Sequence, residues 1–246
     1  MSHDKIKDAA RERMAETGVP YAIARREVIS EHHSASGHGA FPGTGKMLWI
    51  NGPCGVGKTA TAFELHRRLP GSVICDPEHV GYGMRRMLPA SLRRGLFQDM
   101  PAWRHSVLEL LRLTLAEHRG PVIAPMTLVN YDHYREIIGG LRKGGVEVHH
   151  FALLAEPATI VRRLRARSLG REPRTQPWET DVLDDWLDKL RRPEFARHVD
   201  TEGRTVAQVA DVVSGAAGLT IKPSTDGPMR AWLHRYATTA RSVRWI

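Results

Sequence analysis

Apolar residues fall into short runs that alternate with stretches of helical spacing over most of the chain. MLWIN (47–51), SVICD (72–76), PVIAPMT (121–127), VEVHHFALLA (146–155) and ARHVDT (196–201) each predict a strand. Between them, Ala62, Leu65 and Leu69 mark one face of a helix over 58–69, and Val107, Leu111 and Leu115 mark a helix over about 101–118. Pro101 suits the first turn of that second helix and Asp99 suits its cap. Further helices are predicted over 131–143, ended by Gly144 and Gly145, and over 156–168, 181–192 and 205–217, with short ones at 79–88 and 91–97. Strands alternating with helices predict an α/β fold: a mostly parallel five-stranded sheet covered by helices.

The two ends of the chain read differently. Residues 1–33 predict two short helices: Ile6, Ala9, Ala10 and Met14 recur at helical spacing, Gly18 interrupts them, and Tyr21, Ala24 and Val28 follow Pro20. An arm of this size cannot hold a core alone, so it docks, binds a partner or stays mobile. Residues 34–45, rich in Gly and Ser, read as a linker to a domain spanning 46–222. In the tail, 223–246, Met229, Trp232, Leu233, Tyr236, Ala240 and Val243 share a helical spacing with Arg230, Arg235, Arg241 and Arg244. Such a basic amphipathic helix either packs on the domain or makes peripheral contact with an anionic membrane.

Length and charge narrow the picture. At 246 residues the chain has room for one large domain plus an appendage. Its net charge is +9, and only 7 of its 36 basic residues are Lys. Arginine forks onto phosphate and carboxylate, which suggests an anionic ligand, although a GC-rich coding sequence gives the same bias. Two cysteines, Cys54 and Cys75, make neither a disulfide framework nor a zinc site. No apolar stretch approaches the ~18 residues of a membrane span, and the N-terminus lacks a signal-like apolar core, so a cytoplasmic protein is expected, with membrane association through the tail as the open alternative. No nucleic-acid module is present, so no specific nucleic-acid partner is expected.

Gly52-Pro53-Cys54-Gly55-Val56-Gly57-Lys58-Thr59 spells GxxxxGK[ST] between an apolar strand and an amphipathic helix. Glycines let backbone N–H groups wrap around phosphate oxygens, and the following helix aims its positive end at the same anion. ATP and Mg²⁺ are the expected cofactors. Gly52, Cys54, Gly55, Val56, Gly57, Lys58, Thr59 and Ala60 are the candidate nucleotide contacts, with Lys58 on the β- and γ-phosphates and Thr59 on the metal. No guanine-recognition NKxD occurs, and the third strand lacks a terminal Asp. The run that does end in an acid is SVICD, so Asp76 is the candidate general base and second metal-site residue. A turn role before Pro77 is the alternative. Arg162, Arg163, Arg165 and Arg167, followed by Arg171 and Arg174, predict a lid over about 162–180, with Arg163 and Arg167 on one face to compensate transferring charge. Arg85, Arg86, Gln98, Trp103 and Arg104, with Met126, Thr127 and Arg171, are the candidate acceptor contacts. They suit a sugar- or nucleoside-like acceptor with anionic groups. Thr201, between Asp200 and Glu202, follows the fifth strand, where such kinases contact adenine.

LWINGPCGVGKTATAFELHRRL, DPEHVGYGMRRMLP, FQDMPAWR, VIAPMTLVNYDHYREIIGGLRKGG and VHHFALLAEPATIVRRLRAR together resemble the tunicamycin-resistance family of P-loop small-molecule kinases, a group also classed with AAA-family ATPases. The resemblance covers about 46–222 and leaves the N-terminal arm outside. It implies a P-loop NTPase fold like that of nucleoside and shikimate kinases, a three-layer sandwich. It further implies an ATP- and Mg²⁺-dependent phosphotransferase acting on a hydroxyl of a nucleoside- or amino-sugar-like antibiotic. Drug binding and sequestration without chemistry stays open, as does the choice between monomer and homodimer.

Overall fold

An isolated strand leaves its backbone donors and acceptors unpaired, so short apolar runs must find one another. The computed structural model describes residues 3–21, 23–25, 27–28, 45–93, 95–167, 181–195 and 197–224. Five strands form one sheet: β1 (Met47–Asn51), β2 (Val73–Ile74), β3 (Val122–Pro125), β4 (Val148–Leu154) and β5 (His198–Asp200). Every pairing is parallel and the order is β2-β3-β1-β4-β5. In the centre, Met47 lies opposite Val122 on one side and Val148 on the other. All residues of β1 and β3 are buried, which explains their unbroken apolar spelling: a central parallel strand is covered on both faces.

The helices are α1 (His3–Thr17), α2 (Lys58–Arg68), α3 (Glu78–Met87), α4 (Pro101–Glu117), α5 (131–143), α6 (Pro157–Arg167), α7 (Leu183–Leu190) and α8 (Val206–Ala216). The chain steps from β1 past β3 to β2, then back across the sheet to β3, β4 and β5. Right-handed crossovers therefore put α2 on one face and α3, α4 and α5 on the other. In agreement, α2 packs on α8, while α4 packs on α3 and α5. A core of Leu48, Ile50, Leu65, Ile123, Phe151, Leu153 and Val213 joins sheet and helices. Since β1 sends its connection to one face and its neighbour β3 sends its own to the other, a crevice opens at the carboxyl ends of these strands.

Local chemistry sets the helix limits. Thr205 and Gln208 form a reciprocal capping box at α8. Asn130 caps α5, accepting from the N–H groups of Asp132 and His133. The predicted cap of α4 is corrected: Met100 holds that position with no side-chain bond, and Asp99 ends the 3₁₀ turn Phe97–Asp99 before it. Strand 2 shrinks to two residues, and α5 contains a π turn at Arg135–Gly139 that its spacing did not announce. There, Gly140 leaves room for α4: a Cβ would stand 3.0 Å from Leu108 Cδ2.

By contacts the chain divides into units Met1–Pro42 and Gly43–Ile246. In the first, α1 ends at Gly18, whose φ of 71° suits glycine. Residues 23–25 and 27–28 are helical, and Arg13 and Glu27 pair at 4.0 Å. Residues 34–44 of the expected linker, 168–180 of the expected lid and 225–246 of the expected tail helix lie outside the described residues.

Arg68, at the end of α2, is 3% exposed and bonds the carbonyls of Lys222 and Ala207 and the Asp211 carboxylate. Arg68→Ala leaves these acceptors unpaired and should lower unfolding free energy by roughly 2–4 kcal/mol. Arg67→Ala removes a surface pair with Glu64 and should cost under about 1 kcal/mol. Urea unfolding followed by tryptophan fluorescence checks both.

Candidate active site

The loop between β1 and α2 owes its shape to three glycines. Gly52, Gly55 and Gly57 take φ of 142°, 82° and 112°, which residues with side chains rarely adopt. A Cβ at Gly52 would lie 2.7 Å from Val56 Cγ1, and one at Gly55 would lie 2.7 Å from Leu164 Cγ. A Cβ at Gly57 would meet nothing within 4 Å, so this glycine alone of the three borders open space. Lys58 is 7% exposed and its Nζ donates to Pro53 O at 3.1 Å. An ammonium folded against its own loop, glycine N–H groups and a helix N-terminus beside an open concavity fit a polyphosphate. Cys54, Thr59 and Ala60 are half-buried around the same loop, and Val56 is buried.

The loop is fastened by Asn51. Its Oδ1 accepts from Gly52 N at 2.8 Å and Leu128 N at 2.9 Å, and its Nδ2 donates to Leu128 O at 2.8 Å. Those partners fix the amide's orientation, so Nδ2 must also donate to His150 Nε2, 3.0 Å away. His150 is therefore neutral with its proton on Nδ1, packed edge-on to Tyr134 at 5.0 Å. Thr127 Oγ1 donates to Gly52 O at 2.8 Å and Trp49 Nε1 donates to Met126 O at 3.2 Å. Met126 and Thr127, expected to line the acceptor pocket, are 1% and 4% exposed; both side chains are buried in the protein, and the Thr127 hydroxyl binds the loop to the end of β3.

Asp76 follows β2 on the other side of the crevice. Its Oδ1 accepts from Glu78 N at 2.9 Å, so the turn role expected for it is real. Burial, then repulsion from Glu78, pushes its carboxyl up to about 6, against the pull of the Glu78 N–H, His79 and Lys58. The response to Lys58 places Asp76 within electrostatic reach of the loop. Tyr82, one turn along α3, donates to Glu78 Oε2 at 3.1 Å; burial and Glu78 push its phenol above the ordinary range, and Cys54 also acts on it. Hydrogen bonds thus join Asp76, Glu78 and Tyr82 at the start of α3, with Asp76 and Tyr82 in electrostatic reach of the phosphate loop.

Several expected acceptor contacts serve the scaffold instead. Trp103 is fully buried and donates to Pro77 O at 3.2 Å, steadying the turn beside Asp76; it offers no face to a ligand, which corrects its expected role. Arg104 pairs with Glu136 at 2.5 Å and donates to Gln98 O at 2.8 Å. Arg85 donates to Gly95 O at 2.9 Å and lies 5.8 Å above the Phe97 ring. Arg86 is exposed. Gln98 is buried, and its Nε2 donates to Thr127 O at 3.1 Å.

On the opposite side, Arg163 of α6 donates to Val56 O at 3.2 Å, to Thr201 Oγ1 at 2.9 Å and to Thr201 O at 2.8 Å. It ties the phosphate loop to the residue after β5, so two expected nucleotide contacts do meet. Burial lowers the Arg163 pKa, with Glu202 opposing that shift. The side chain of Arg167, and Arg171 as a whole, lie outside the described residues. Among the described residues no three His, Cys, Asp or Glu side chains gather as a metal site. A divalent cation at Thr59 and Asp76 would take most of its oxygen ligands from phosphates and water, as Mg²⁺ ordinarily does. Asn51, His150 and Glu78 were missed. The Asn at the strand's last position and the acid two places after Asp76 were the available signals.

The AAA domain family matches residues 47–193. The tunicamycin resistance protein of Deinococcus radiodurans is 34% identical, with a TM-score of 0.61, over 73% of this chain and 99% of that one. A sugar kinase from Janibacter sp. is 14% identical, with a TM-score of 0.54, over 72% of this chain and 96% of that one. A gluconokinase from Sinorhizobium meliloti is 15% identical, with a TM-score of 0.51, over 72% of this chain and 94% of that one. No curated protein matches the sequence. The two kinases share the fold, a P-loop kinase-like α/β architecture.

Asn51→Leu strands the N–H groups of Gly52 and Leu128 and the Leu128 carbonyl. It should cost roughly 3–5 kcal/mol of stability and weaken nucleotide binding more than tenfold. Thr127→Val removes one bond and should cost about 1 kcal/mol. Thermal unfolding and titration with a fluorescent ATP analogue measure the graded pair.

Proposed function

The chain belongs to the AAA domain family, and from that we propose an ATP-dependent phosphotransferase that acts on a hydroxyl of a small molecule. The observation that carries this reading is a carboxylate, Asp76, within electrostatic reach of the phosphate-loop lysine and with its pKa raised to about 6. An ATPase that only changes shape has no need of a base on the acceptor side. A kinase needs one whose pKa lies near the working pH.

The geometry supports a division of roles. Backbone N–H groups of the loop and the N-terminus of α2 bind the phosphates of ATP. Lys58 leaves Pro53 O for the β- and γ-phosphates, exchanging one oxygen partner for others. Mg²⁺, held at Thr59 with Asp76 nearby, would neutralise phosphate charge. The acceptor oxygen attacks the γ-phosphorus, the bond to the β,γ-bridging oxygen breaks, ADP leaves, and Asp76 takes the acceptor's proton. Arg163 acts as a positioning residue. Its guanidinium is occupied by Val56 O and Thr201, so it holds the loop against the β5 end.

The likeness to the tunicamycin resistance protein supports a further step: the acceptor is a nucleoside-type antibiotic, and its phosphorylation confers resistance. ATP and a panel of nucleoside antibiotics, read by mass, test this. A gain of one phosphoryl group, lost in Asp76→Asn, is expected. Tight drug binding with no product across the panel would mean sequestration instead.

Asp76 also makes a pH prediction. Its folded pKa of about 6 lies above the ordinary carboxyl value of 3.8, so the folded state holds the proton more tightly. This residue's contribution to stability is therefore lost as pH rises from about 4 to 6. Asp76→Asn should be more stable than the parent at pH 7.5, by up to about 3 kcal/mol, and no more stable at pH 4. The parent's kcat/KM should fall tenfold per unit below about pH 6. Calorimetry and a pH-rate profile check the two halves.

A further inference from the structure

The charges on the acceptor side run opposite to the sequence expectation. Arg85 and Arg104 were to meet an anionic acceptor, yet their guanidinium groups are taken by Gly95 O and the Phe97 face, and by Glu136 and Gln98 O. Arg86 is exposed, eight residues along α3 from Glu78, or about 12 Å at a helical rise.

Besides His79, which follows Glu78, and Lys58 of the loop, the described side chains left around Asp76 are acceptors of hydrogen bonds. Asp76 and Glu78 stand together at the start of α3, and Tyr82 spends its hydroxyl proton on Glu78. Gln98 adds an independent observation. Its Nε2 is committed to Thr127 O, and turning the amide over would set two oxygens against each other. Among the described residues, its Oε1 is then left buried with no partner. Gln98 sits between two parts of the site: Thr127 bonds the phosphate loop at Gly52 O, and the adjacent Phe97 packs on α3, where a Cβ on Gly81 would stand 2.6 Å from the ring. A buried oxygen without a donor costs free energy that a donor on a ligand or a water recovers.

Resting on the phosphotransferase reading, we propose that the acceptor is a polyhydroxylated compound, neutral or amine-bearing and without an anionic group, recognised through the donors it offers to Glu78 and Gln98. An acceptor carrying phosphate, sulfate or carboxylate would bring a second anion beside Asp76 and Glu78 with neither Arg85 nor Arg104 free to meet it, and like charges so placed repel. Glu78 sets the charge preference and Gln98 reads an N–H or O–H.

Matched pairs test this without knowledge of the natural acceptor: glucosamine against glucosamine 6-phosphate, and uridine against uridine 5′-monophosphate. Each is titrated calorimetrically into the full chain holding a non-hydrolysable ATP analogue and then assayed for phosphoryl transfer from ATP. The uncharged or amine member of each pair should bind at least about tenfold more tightly, and Glu78→Gln should narrow that ratio. Equal or tighter binding of the phosphorylated members overturns the proposal, as does failure of both unphosphorylated members to bind at millimolar concentration. Either result leaves the phosphotransferase reading standing if the analogue binds. Failure to bind the analogue overturns that reading itself. The wild-type comparison suffices if the variant does not fold.

Discussion

The Asn51 side chain is the joint on which the candidate site depends. One buried amide uses both lone-pair directions of its oxygen and both of its N–H groups, on Gly52, Leu128 and His150. The first residue of the phosphate loop and the segment after β3 are thereby held as one piece. Thr127 closes the same joint from the other side through Gly52 O, and Gln98 extends it toward the acceptor region. A phosphate loop stabilises transferring charge only if its dipoles are in place before the reaction, because reorganising them would cost what their interaction gains. Buried, fully satisfied polar groups supply that rigidity.

The two sides of the crevice divide the electrostatic work. On the nucleotide side are the helix N-terminus, Lys58 and, behind them, Arg163. Opposite them stand Asp76 and Glu78, with the Asp76 carboxyl raised toward neutrality by burial and by its neighbour. A surplus of arginine therefore does not mean an anion-lined pocket. Arg68, Arg85, Arg104 and Arg163 all bond backbone carbonyls, and Arg68 and Arg104 also pair with carboxylates. These forked donors join segments distant in sequence, such as α2 to Lys222 and α6 to the phosphate loop.

Much of the architecture was legible along the chain. The five apolar runs, the helix at 58 and the phosphate loop are local features, in which the spelling and the structure report the same steric and hydrogen-bonding constraints. The site was legible in part. Gly52, Gly55, Gly57, Lys58 and Asp76 could be singled out because the proposed chemistry demands those residue types at fixed spacing. Trp103, Met126 and Thr127 were expected to face a ligand and face the protein. A tryptophan or threonine reads the same on either side of a wall, and only its partners, Pro77 O and Gly52 O, decide which side it is on.

By itself the sequence determined the fold class, the anion-binding loop and the acid beside it, since each rests on backbone geometry or on bonds between near neighbours. Tertiary structure decided the direction in which the polar groups point. Asn51 meets Leu128 77 positions away and His150 99 positions away, and Arg163 meets Val56 across 107. Those distances along the chain carry no local periodicity. The charge proposed for the acceptor side, and with it the kind of ligand proposed, rests only on what the sheet brings together and on which cations are spent on the protein itself.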